Sequence, residues 1–84
     1  MDKKRILIAD DEAIIRLTVV RMLDKDYLVL EATNGEEAVE IAKVKKPDLI
    51  LMDLIMPKID GYTACLRIKT DQLTKGIPVV VLTA

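Results

Sequence analysis

Eighty-four residues with 13 basic and 14 acidic side chains, a formal net charge of −1, allow one domain and give no general electrostatic reason to expect nucleic acid or anionic lipid as a partner. One cysteine, Cys65, and no histidine exclude an intrachain disulfide framework and zinc sites of the finger, zincin or deaminase kinds. Half the residues are apolar, yet only Tyr27 and Tyr62 are aromatic, so the core has to be aliphatic. No apolar stretch approaches the ~18 residues of a spanning helix. The basic run Lys3-Lys4-Arg5 precedes too few apolar residues to be a signal peptide. The expected location is the cytoplasm, with no membrane partner and Cys65 a small buried hydrophobe.

In chain order, Arg5 to Ala9 is a short apolar run that ends on Asp10-Asp11-Glu12, a strand running into an acidic corner. From Ala13 to about Asp24 the pattern turns helical, with Ile15, Val19, Met22 and Leu23 on one face. Ile14, Leu17 and Val20 add a second apolar flank, so this helix expects cover on more than one side. Tyr27 to Ala32 reads as a second strand. Asn34-Gly35-Glu36-Glu37 then gives an N-cap with an acid three residues on, opening a helix with a narrow stripe of Ala38, Ile41 and Ala42. Lys43, Lys45 and Lys46 suit its C-terminal dipole, and Pro47 stops it.

Asp48 to Asp53 is an apolar run bounded by carboxylates, the pattern of a parallel strand covered on both faces. A loop follows with a tight backbone position at Gly61, and Asp60 is placed to cap a helix of about Tyr62 to Lys69 that faces Ala64, Cys65 and Ile68 inward. Ile77 to Ala84 is a fourth strand, with Pro78 tolerable only near its start. Strands alternating with helices of this length give a right-handed, mostly parallel sheet with helices on both faces.

The candidate chemistry lies at the carboxyl ends of these strands, where open α/β sheets bind ligands. Asp10 and Asp11 follow the first strand, Asp53 ends the third, and Thr83 ends the fourth. Carboxylates brought together there repel one another and raise each other's pKa unless a cation joins them. A hard ion such as Mg²⁺ is the expected one, since it takes oxygen ligands. Each residue also has a plainer role. Asp10, Asp11 and Glu12 could form the acidic first turn of a helix, Asp53 a turn, and Thr83 an ordinary strand end. The joint placement at strand ends favours a site. The glycines Gly35, Gly61 and Gly76 fall in three separate turns, which argues against a glycine-rich phosphate loop.

The segments ILIADDE, EATNGEEAVEIA, PDLILMDLIMPKIDG and IPVVVLTA resemble, in order and spacing, the receiver domain of two-component response regulators. The resemblance covers essentially all of the chain. It implies an α/β, doubly wound, flavodoxin-like sheet with strand order 2-1-3-4. It also implies that residues 1–84 are a receiver truncated after the fourth strand, lacking a lysine that would pair with the phosphoryl group.

By position, the resemblance makes Asp53 the phosphoacceptor, with Asp11 binding Mg²⁺ directly, Asp10 mainly through water, and the Ile55 backbone carbonyl a further ligand. Thr83 becomes the hydroxyl that contacts the phosphoryl group and switches. The Ile55 side chain becomes a modulator of access by hydrolytic water. The implied partner is a histidine kinase or histidine phosphotransfer protein. The alternatives are a structural, self-assembling βα fragment without signalling, and a small metal-dependent phosphatase-like enzyme. With the fourth strand open at its edge and the first helix short of cover, the chain is expected to form a homo-oligomer through those two surfaces.

Overall fold

The computed structural model describes residues 2–82. They form β1 (Lys4–Ala9), α1 (Ala13–Leu23), β2 (Tyr27–Ala32), α2 (Gly35–Lys45), β3 (Leu49–Asp53), α3 (Gly61–Thr70) and β4 (Val79–Leu82). Every pairing is parallel and the sheet order is β2-β1-β3-β4, the doubly wound order that the resemblance implies.

Alternate strand residues divide the sheet into two faces. Leu7, Ala9, Ala32, Ile50 and Met52 share one cluster with Ala38, Val39 and Ala42 of α2 and with Ala64 and Ile68 of α3. The alanines let both helices sit close to the sheet. Ile6 and Ile8 alternate with Leu7 and Ala9, and they are buried on the opposite face, where α1 packs on β1 and β2.

The helix ends follow from local chemistry. Asn34 Oδ1 accepts the Glu37 N–H at 2.8 Å, while Glu37 Oε1 accepts the Thr33 N–H at 2.8 Å. The reciprocal half of the box therefore lands one residue before the cap. Lys46, left-handed at φ 46°, ends α2 ahead of the buried Pro47. Asp60 caps α3 by accepting the Thr63 N–H at 2.7 Å. Pro78 precedes β4, and its carbonyl accepts the Ile50 N–H, so its missing N–H interrupts no rung of that pairing.

Two expectations about burial need correction, for the inner face of α1 and for Cys65. On the inner face of α1, Val19 and Leu23 are half-buried, but Ile15 is 39% exposed and Met22 73%. The helix packs mainly on two strands at the β2 side of the sheet, so side chains directed past them meet solvent. On its second flank Ile14 and Leu17 are exposed, as expected of a helix short of cover, while Val20 is half-buried. Cys65 is only half-buried, because it lines a shallow groove with Leu54, Tyr62, Leu66, Lys69 and Val81. The fourth strand is also shorter than expected among the described residues, and it pairs with β3 alone.

Replacing Asn34 by Ala removes an N-cap acceptor, which costs about 1 kcal/mol. For a domain of this size that lowers the melting temperature by roughly 4–8 °C. Thermal denaturation by circular dichroism checks this, and an unchanged midpoint contradicts the capping assignment.

Candidate phosphoacceptor and metal site

At the end of β1 the Asp10 N–H donates to the Ala32 carbonyl at 3.0 Å, the last rung before the chain leaves the sheet. Asp10 Oδ1 then accepts the Glu12 N–H at 2.9 Å and bends the backbone into α1. Asp10 itself is buried, at 5% exposure. No acid lies in the first turn of α1, and the N-cap residue Glu12 makes no side-chain cap bond. The three acids thus precede the helix, and the plainer reading of an acidic first turn does not describe them.

Carboxylate oxygens of Asp10, Asp11 and Glu12 all lie within 4.8 Å of one another. Asp53, the last residue of β3, lines the same cleft of about 430 Å³ together with Ile15, Ile55 and Leu82. Its Oδ1 accepts the Ile55 N–H at 3.2 Å. The structure therefore brings Asp10, Asp11, Asp53 and Ile55 to one cleft. Thr83, which follows Leu82 of β4, lies outside the described residues. Glu12 belongs to the tight acidic group although the sequence reading singled it out only as a helix-turn acid. Its signal was adjacency to the acidic pair at a strand end.

Burial pushes the Asp10 carboxyl above its ordinary pKa, and the negative charges of Asp53 and Asp11 push the same way. The Glu12 N–H and the Arg16 guanidinium oppose them. The charge of Asp53 is therefore felt at Asp10, which the shared cleft requires. Among the described residues the side-chain donors in the cleft are all carboxylate oxygens, the set that fits a hard divalent cation.

Gly61 fixes the far side. A Cβ there would collide with the carbonyl of Asp53 and with Leu54 Cα, and the Gly61 N–H donates to the Leu54 carbonyl at 2.9 Å. The requirement is for space, since the backbone of Gly61 is not left-handed. Nearby Met56 is buried and holds the intervening loop to the core.

This arrangement defines a receiver: a doubly wound sheet with an acidic cleft at the carboxyl edge. The response regulator receiver domain family matches residues 6–84, and the chain belongs to it. It is 46% identical over 83 residues to the transcriptional regulatory protein PdtaR of Mycobacterium tuberculosis, covering 96% of this chain and 39% of that protein. The chain thus spans under two-fifths of that regulator's length. The N-terminal domain of a response regulator receiver protein from Methanoculleus marisnigri superposes with a TM-score of 0.91 at 42% identity, covering 95% of this chain and 66% of that one. The receiver domain of a Pseudomonas aeruginosa sensor histidine kinase, solved with a magnesium ion coordinated in its active-site cleft, gives 0.92 at 31% identity, covering 98% and 68%.

Two outcomes follow. Because the folded pKa of Asp10 is raised, protonation stabilises the metal-free fold below the unfolded pKa, and that contribution is lost as pH rises through the folded value. Asp10→Asn should therefore raise the metal-free melting temperature at neutral pH, with the gain shrinking on acidification. A gain that is the same at every pH contradicts the assignment. Gly61→Ala should destabilise by about 1–3 kcal/mol, the usual range for forced overpacking. Urea denaturation measures that, and a neutral effect contradicts the contact with Asp53.

Proposed function

We propose that this chain is a phosphoacceptor module of a two-component relay, phosphorylated on Asp53 with Mg²⁺ as cofactor. The observation that carries the reading is the convergence of Asp53, at the end of β3, with Asp10 and Asp11, at the end of β1, in one cleft. Asp10, Asp11, Asp53 and the Ile55 carbonyl would hold the ion, which when bound would supply charge neutralisation for the incoming phosphoryl group. A carboxylate oxygen of Asp53 forms the new bond to phosphorus as the bond from phosphorus to the donor's leaving group breaks. The Ile55 N–H on Asp53 Oδ1 fixes the carboxylate and leaves its second oxygen for attack. Thr83 would contact the phosphoryl oxygens and act in switching.

Among the described residues no lysine or arginine lines the cleft. The described lining thus offers the phosphoryl group no cationic side chain, and labelling of this 84-residue polypeptide should be partial. Ile55, 73% exposed, offers hydrolytic water no hydrogen bond from its side chain, which favours slow loss of the phosphoryl group. The donor is a histidine kinase or histidine phosphotransfer protein, and the setting the cytoplasm. Intact-mass spectrometry after incubation with acetyl phosphate tests the reading. Partial labelling is expected that needs Mg²⁺ and disappears in Asp53→Ala. Labelling that persists in that variant contradicts it.

As an 84-residue polypeptide it should also self-associate. Ile14 and Leu17 on α1 are exposed, and β4 has a neighbour on one side only among the described residues. Unpaired edges and apolar flanks of this kind promote association. Size exclusion with light scattering should give a discrete multiple of 9.4 kDa, and a folded species at 9.4 kDa contradicts the expectation.

A further inference from the structure

The geometry points to Arg16 as a positioning residue for the acidic cleft, acting by tying the main chain of Asp10 to Glu31 near the end of β2. This rests on the metal-dependent reading above and adds a residue that neither the acidic motif nor the cleft lining contains.

Arg16 is charged but largely covered, its side chain 15% exposed. Its Nη1 donates to the Asp10 carbonyl at 2.8 Å, and its Nε donates to Glu31 Oε1 at 3.2 Å. Glu31 stands opposite Ile8 in the β1–β2 register, two residues before Asp10. One guanidinium therefore joins α1, the exit from β1 and the end of β2.

Asp10 is held at three points: its N–H by Ala32, its Oδ1 by the Glu12 N–H, and its carbonyl by Arg16. Its second carboxylate oxygen has no hydrogen bond among the described residues and is left for a cation. Without Arg16 the peptide after Asp10 loses its only side-chain donor among the described residues, and the turn that aims both Asp10 and Asp11 can rotate.

Charge alone would act in the opposite direction. A cation beside the cleft repels Mg²⁺, so an Arg16 that acted only through its charge would weaken binding. The Glu31 carboxylate at 3.2 Å offsets that charge, which leaves geometry as the larger effect. A guanidinium presents donors in a rigid planar fork, whereas a lysine ammonium is a single point and cannot span both acceptors in the same way.

The test is a Mg²⁺ titration of the 84-residue chain, followed through the amide shifts of Asp11 and Glu12 in ¹H–¹⁵N spectra, with melting temperatures measured alongside. Arg16→Ala should raise the half-saturating Mg²⁺ concentration about tenfold, the lower end of the cost of losing an outer partner of a metal ligand. Arg16→Lys should fall near Arg16→Ala. Glu31→Gln, which keeps an oxygen acceptor and with it the main-chain tie, should shift half-saturation by much less than that tenfold.

Asn34→Ala serves as the control for general destabilisation and should leave half-saturation unchanged. The inference is overturned if Arg16→Ala titrates like the parent protein, or if Arg16→Lys restores parent affinity, since a single donor would then suffice without the guanidinium fork. It is also overturned if Asn34→Ala shifts the midpoint as far as Arg16→Ala. A parent chain whose amide shifts do not saturate with Mg²⁺ overturns the metal reading, and the inference with it.

Discussion

Crowding of like charge at one edge of the sheet is the constraint on which the rest of this structure depends. Carboxylates of Asp10, Asp11 and Glu12 lie within 4.8 Å of one another, and Asp53 faces them across the same cleft. Such a cluster opposes folding when it is fully ionised. Burial is the larger cause of the raised Asp10 pKa, and the charges of Asp53 and Asp11 add to it. The fold tolerates it because its two strand-end acids, Asp10 and Asp53, are attached to something rigid. Asp10 is anchored by the last rung to β2 and by the turn into α1, and Asp53 by β3 and by the glycine-floored loop behind it.

Parallel topology explains why the acids meet at all. Strands β1 and β3 are neighbours that run the same way, so their carboxyl ends share an edge although Asp10 and Asp53 are far apart in sequence. Helices α2 and α3 brace the opposite face of the sheet with small side chains, while α1 covers the β1–β2 side less completely. Stability and chemistry are thus partly separated. The aliphatic core lies under α2 and α3, and the acids lie at the rim near α1, where exposure is greater.

Much of this was legible in the sequence because the signals were local. Apolar runs closed by acids marked β1 and β3, Asn34 and Asp60 marked the helix starts, and Gly61 marked a close approach that the structure traces to the Asp53 carbonyl. What escaped depended on three-dimensional company. Met22 fits an inward helical face, but the helix has no sheet beneath that side chain. Cys65 reads as a core residue, yet it borders an open groove. Arg16 looks like any helix-surface base until β2 brings Glu31 beside it. The strand order came from resemblance to receivers, since the alternation of elements alone permits several orders.

The central claim is that Asp53 and the acidic corner after β1 form one cation site. The most direct measurement is a crystal structure grown with Mn²⁺ in place of Mg²⁺, with the ion located by its anomalous scattering. The account predicts a single peak in the cleft, coordinated by Asp11 and Asp53 and flanked by Asp10. A peak held by Asp10, Asp11 and Glu12 with Asp53 turned away, or no peak in the cleft at saturating Mn²⁺, would contradict it.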